Sequence, residues 1–154
     1  MIPHILYVFL MSMLPLVELR GGVILGTALG LPWYINLPVC IIGNMVPIPF
    51  ILMFIPKILD WLEKFKPFKP IVGWLRQRAE KNSEKIVTTS FIGLFLFVAL
   101  PVPGTGAWTG SLVSSLFSLP KWRSFFTVLL GVIACGVIMT LACYGFVGFL
   151  GFLK

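Results

Sequence analysis

The chain has 154 residues, 58% of them hydrophobic and 11% charged, with a mean hydropathy of +1.02 and a formal net charge of +7. So few charges cannot cover the apolar surface of a soluble domain of this length, so an integral membrane protein is expected. No cysteine–histidine, serine–histidine or metal-ligand constellation is present, and neither an enzyme nor a cofactor protein is expected.

The opening, "MIPHILYVFLMSM", lacks the basic flank and small-residue cleavage site of a secretory leader, so no cleaved signal peptide is expected. His4 has no partner in reach by sequence. An apolar arm from Ile5 to Leu14 leads into "PLVELRGG", where Pro15 and Gly21-Gly22 fence Glu18 and Arg20. A second arm, Gly22 to Leu31, is only ten residues long, about 15 Å of helix or half a bilayer. Two half-length arms around a proline/glycine break predict a re-entrant hairpin that enters and leaves on one side. A full-length span follows, roughly from Ile35 to Ile55.

The basic residues gather at 57–85, where Lys57, Lys64, Lys66, Lys69, Arg76, Arg78, Lys81 and Lys85 outnumber Asp60, Glu63, Glu80 and Glu84. Flanking apolar spans make this a cytoplasmic segment by the positive-inside rule, rather than a nucleic-acid surface. Trp61, Phe65 and Trp74 suggest helices in the headgroup region, broken at Pro67 and Pro70. From about residue 86 a second apolar half gives a hairpin at about 87–118 and a span from about 124. Its tip, "PVPGTGAWTGS" from Pro101, carries no charge. Gly104 and Gly106 permit close backbone approach, Thr105, Thr109 and Ser111 offer hydroxyls, and Trp108 offers an indole donor or stacking surface. Cys40, Cys135 and Cys143 sit in apolar runs without paired spacing and read as small buried hydrophobes.

The two halves match at an offset of 88 residues. Pro15, Gly22, Gly26, Gly30, Leu31, Pro32 and Gly43 fall on Pro103, Gly110, Ser114, Ser118, Leu119, Pro120 and Gly131. Small residues at every fourth position let helix backbones touch in lipid, although two ordinary spans with such faces would also look this way. A hairpin adds no net crossing and one span follows each, so the two repeats must be inverted. Charge agrees: "LPWYIN" has no cation, whereas the matched "LPKWRS" carries Lys121 and Arg123. The expected fold is an all-α polytopic membrane protein of the cell (inner) membrane. It forms one membrane domain, with repeat 1 at about 3–56, the cytoplasmic segment at about 57–85 and repeat 2 at about 86–153.

An ionised group at mid-bilayer costs about 2.5–3.5 kcal/mol, so Glu18 and Arg20 need an explanation. Residues two apart project about 200° from each other on a helix but point the same way in extended backbone, which predicts an unwound tip. One explanation is an internal salt bridge that locks the hairpin. The other is a site, with Arg20 on an anionic group, Glu18 titrating, and helix starts at Gly22 and Gly110 aiming N–H groups at the anion.

"PLVELRGG" and "PVPGTGAWTG" together resemble the prokaryotic small multidrug export protein family, over roughly residues 10–150. That family resembles in turn the DedA-like (VTT) membrane proteins, which have two opposed re-entrant hairpins with adjoining spans. Glu18 and Arg20 match the acidic and basic positions of the first motif. DedA-like proteins usually place arginines around the second hairpin, and here the nearest is Arg123. The resemblance implies proton-coupled transport of a lipid-linked phosphate such as undecaprenyl phosphate, or of another amphipathic anion. The site residues would be Glu18, Arg20, Gly21, Gly22, Gly104, Thr105, Gly106, Trp108, Thr109 and Arg123. The partners would be membrane lipid, the substrate, protons and a second copy in a homodimer, without nucleic acid. Efflux of cationic drugs with Glu18 as their ligand is the alternative within transport, and a non-transporting membrane scaffold is the alternative outside it.

Overall fold

Proline and glycine punctuate the chain into short and long helices. The computed structural model describes residues 2–62, 64, 70, 73, 84–102 and 104–152. The helices are α1 (Ile2–Met13), α2 (Glu18–Ala28), α3 (Trp33–Met45), α4 (Ile48–Leu62), α5 (Glu84–Ala99), α6 (Ala107–Leu116) and α7 (Lys121–Phe152), with no strand among the described residues. Most of the basic stretch 57–85 lies outside them, including Phe65, Pro67 and Trp74, as does Pro103.

The ends of α2 and α6 are built alike. Gly30 and Ser118 both take left-handed backbone, with φ of 72° and 52°. Their N–H groups donate to Thr27 O and Ser115 O, each at 3.1 Å. The next N–H groups, of Leu31 and Leu119, reach back to Gly26 O (2.9 Å) and Ser114 O (3.0 Å). This left-handed helix stop uses carbonyls that would otherwise be orphaned. Pro32 and Pro120 then open the following helices, accepting from Asn36 N–H (3.0 Å) and Ser124 N–H (2.9 Å). Every one of these pairs is 88 residues apart. Side chains repeat the pattern: Gly26 abuts Asn36, and Ser114 Oγ donates to Ser124 Oγ.

Before the tips the offset changes. A Cβ on Gly43 would lie 2.6 Å from Phe9 O and 3.1 Å from Ser12, and one on Gly131 would meet Phe95 O at 3.2 Å and Val98 at 2.7 Å. Phe9 and Phe95, like Ser12 and Val98, are 86 apart. Ahead of the match that was expected from Pro15 onward, the arms thus pair at 86 rather than 88, so the stretch between them is two residues longer in the second half.

The expected boundaries also move. The unwound stretch was predicted to run through Gly22, with helices starting at Gly22 and Gly110. Instead α2 starts at Glu18 and α6 at Ala107, and the first break is confined to Leu14–Val17. Glu18 N–H already donates to Leu14 O (2.9 Å) and Gly21 N–H to Val17 O (3.0 Å), so helical hydrogen bonding resumes at the charged pair although Glu18 itself keeps left-handed backbone, with φ of 53°. Both spans begin earlier than predicted, at Trp33 and Lys121, because Pro32 and Pro120 start helices rather than lie in a loop.

Two apolar stretches, Trp33–Trp61 across α3 and α4 and Lys121–Phe149 in α7, have 29 residues each. At 1.5 Å per residue each covers about 43 Å, more than the ~30 Å of a hydrocarbon core. They run antiparallel. Trp122 and Phe125 line a groove with Pro49 and Leu52, Val132 and Cys135 lie beside Asn44, and Tyr144 bonds to Asn36. The re-entrant-length helices pack across, α2 on α7 and α6 on α4. Val8, Leu19, Val23, Val98, Val128 and Val132 form the buried centre, while Trp122, Leu141 and Phe146 are exposed on the outside. A large apolar exterior fits lipid rather than water.

Candidate functional site

Helix ends leave N–H and C=O groups without partners, and inside an apolar bundle those groups must be satisfied by something else. The two tips satisfy each other. Arg20, on the first turn of α2, turns its guanidinium onto the second tip. Nη1 donates to Val102 O, and Nη2 to Leu100 O (2.8 Å), Thr105 O and Thr105 Oγ1 (3.0 Å). Leu100 and Val102 follow the C-terminus of α5, the negative end of its dipole, where a cation is favoured. Thr105 Oγ1 lies 2.8 Å from Val102 O and 3.0 Å from Leu100 O, and so folds this loop around the guanidinium.

Glu18 does the converse. The residue is only 7% exposed, and its carboxylate accepts a 3.3 Å bond from Trp108 N–H at the start of α6. It lies so close to Gly106 that a Cβ there would overlap it. Its oxygens therefore sit at the positive end of α6, where a negative charge is favoured. Trp108 Nε1 completes the exchange by donating to Met13 O, the last carbonyl of α1, at 3.1 Å. Glu18 and Arg20 do not hydrogen-bond each other. The bonds run between the two tips, not within one.

The chemistry of this junction is that of a buried carboxylate facing an engaged guanidinium, and the stretch containing it can be compared with known proteins. A family model described as "Putative small multi-drug export protein" matches residues 18–138, well over half of the chain. The chain belongs to that family. No curated protein and no solved structure matches it. The family match begins at Glu18 itself, just after the first break, and takes in the second tip, α6 and the first half of α7.

The other expected site residues are placed differently from one another. Gly21 packs on the Val17 side chain one turn earlier, whereas Gly22 faces Ser12 and Cys40 of neighbouring helices (a Cβ would lie 2.9 Å from Sγ) and so serves close helix approach. Gly104 is an exposed turn residue with φ of 84° and open space around it. Thr109 is half-buried on the first turn of α6. Arg123 stands apart. It is exposed on the first turn of α7, nine residues and about 13 Å before Val132, which lines the junction. Among the described residues no three of His, Cys, Asp and Glu come together as a metal site.

Two asparagines belong to the bundle centre although nothing in the tips announces them. Asn36 (1% exposed) donates to Val23 O (3.0 Å) and to Tyr144 OH (2.9 Å), while Tyr144 donates to Leu31 O (2.6 Å). Asn44 (2% exposed) lines a cavity of about 10 Å³ together with Glu18 and Arg20. The signal was available: these are the only carboxamides between residues 21 and 56, and an amide buried in lipid needs partners.

Proposed function

We propose that this member of the family is a proton-coupled exporter of amphipathic cations, with the crossed tips as its gate and Glu18 as the group that protons and substrate share. The observation that carries this reading is the unequal engagement of the two charges. The terminal nitrogens of Arg20 are committed to the carbonyls of Leu100, Val102 and Thr105, whereas buried Glu18 accepts a single 3.3 Å bond. A carboxylate has about four lone-pair sites, so Glu18 keeps acceptor capacity for a proton or a cation. The family description points the same way.

In this reading the pairs α1–α2 and α5–α6 are re-entrant hairpins of two inverted repeats, and α3–α4 and α7 are the spans. The bonds recurring 88 residues apart and the antiparallel long helices support it. Segment 57–85 lies on the cytoplasmic side. Parting the tips breaks the bonds of Arg20 to the second hairpin and uncovers Glu18, and closing them restores the caps of α5 and α6. Alternating exposure of a site between broken helices is how several secondary transporters work.

A second reading keeps the lipid-linked phosphate that likeness to DedA-like proteins implies. An apolar groove of about 450 Å³ between α4 and α7, lined by Leu52, Met53 and Phe125 with Lys121, favours it. The phosphate would then meet Lys121 rather than Arg20.

Efflux of a fluorescent lipophilic cation from proteoliposomes under an imposed pH gradient tests the choice. Glu18→Gln should lower gradient-driven efflux by about tenfold or more while leaving the melting temperature near that of the wild type. Wild-type efflux by Glu18→Gln overturns the reading. Flip of a fluorescent polyprenyl phosphate that depends on Lys121 and not on Glu18 would favour the second.

A further inference from the structure

The junction contains polar atoms that the crossed caps leave unused. Arg20 Nε and Asn44 Oδ1 are buried and have no hydrogen-bond partner, one a donor and the other an acceptor. Both residues line the cavity of about 10 Å³ that Glu18 also lines, with Val98, Ala107 and Val132 among its apolar walls. That volume accommodates about one water molecule.

We propose that this cavity holds one water bridging Glu18, Asn44 and Arg20, and that Asn44 is thereby a positioning residue for the proton on Glu18. The positioning role rests on the proton-coupled reading above; the water does not. A water accepts from Nε–H and donates to Oδ1 and to the carboxylate. These three bonds are the usual number for a buried water, and they leave no orphan. A metal cation fits worse, because it offers no acceptor to Nε–H and is repelled by the guanidinium. Arg20 and Cys135 are the titratable groups that line the cavity with Glu18; α3 contributes Asn44, α5 Val98 and α6 Ala107. Gly106 and Trp108 cover the carboxylate on the remaining side. As the tips part, the carboxyl O–H breaks, its proton bonds to the water oxygen, and one of the water's own protons leaves to bulk solvent. Asn44 fixes where that oxygen sits.

Water-edited solid-state NMR on wild-type protein in lipid bilayers, labelled with ¹⁵N-asparagine, tests the water directly. Asn36 is an internal control, since it is equally buried but bonded to Val23 O and Tyr144 OH. Magnetisation from water should reach the Asn44 side chain several-fold faster than Asn36. Equal, slow transfer to both overturns the bridging water. The role is read from the pH profile of cation efflux. Asn44→Leu, which fills the space and removes the acceptor, should move the midpoint up by about one pH unit, a tenfold change in proton affinity. Asn44→Ser keeps an acceptor and should retain the wild-type profile. An unchanged Asn44→Leu profile beside a flattened Glu18→Gln profile refutes the positioning role and leaves the export reading intact. A Glu18→Gln profile like the wild type refutes both, while the wild-type spectra still decide the water. Should Asn44→Leu fail to fold, those spectra remain decisive.

Discussion

Glu18 and Ser118 are the two non-glycine residues with positive φ among those described, at 53° and 52°. Left-handed backbone costs a residue with a Cβ about 1–2 kcal/mol, so each needs a reason. Glu18 has one, because that backbone delivers its carboxylate to Trp108 N–H and Gly106 at the head of the opposite helix. Ser118 has none beyond ending α6, and its counterpart Gly30 does the same work without a Cβ. Ser118→Gly should therefore stabilise the detergent-solubilised protein by about 1 kcal/mol, and Gly30→Ala should destabilise it by a similar amount, read as shifts in thermal or denaturant midpoint. Gly106→Ala should do far more damage, since the new methyl falls on a buried carboxylate; losses of about 3 kcal/mol or more, or failure to fold, are expected. Both tip charges were legible as charges misplaced in lipid. Their partners were not, because Leu100 O, Val102 O, Thr105 O and Trp108 N–H are backbone groups that every sequence has.

Helices α2 and α6 are too short to cross a bilayer, and their stability depends on what meets their ends. At one end each has a left-handed stop; at the other, α6 is capped by Glu18 from the start of α2. Small residues give the close faces, with Gly26 against Asn36 and Ser114 against Ser124. Gly26→Leu and Ser114→Leu should each lower the melting midpoint, because an added side chain must separate packed backbones. Tyr144 ties α7 to the start of α3 through Leu31 O and Asn36. Tyr144→Phe keeps the ring but strands a buried carbonyl, and should cost about 1–3 kcal/mol in the same assay. The every-fourth-residue spacing was readable because helical periodicity is a property of the sequence. The two-residue difference in tip length was hidden, since apolar arms such as 5–14 offer no landmark to reveal a shift of register.

Over the whole molecule, α7 runs back along α3–α4, so the starts of the two spans lie at opposite ends of the bundle. Tyr144, late in α7, bonds to Asn36 just after Trp33, whereas Lys121 and Trp122 share a groove with Pro49, Leu52 and Met53. In the topology proposed above, the end carrying Lys121 and Arg123, cations that the matched "LPWYIN" lacks, is the cytoplasmic one. Both Trp33 and Lys121 are exposed, so each position can report its side. In a background with Cys40, Cys135 and Cys143 replaced, Trp33→Cys and Lys121→Cys should react with a membrane-impermeant maleimide from opposite sides, Lys121→Cys from the cytoplasmic one. Permeabilised cells should label at both positions, which separates a hidden thiol from a wrongly placed one. Labelling of both from one side would mean that the long helices do not cross the bilayer antiparallel. Two hairpins opening to opposite faces would then be impossible, and so would a gate made where their tips meet.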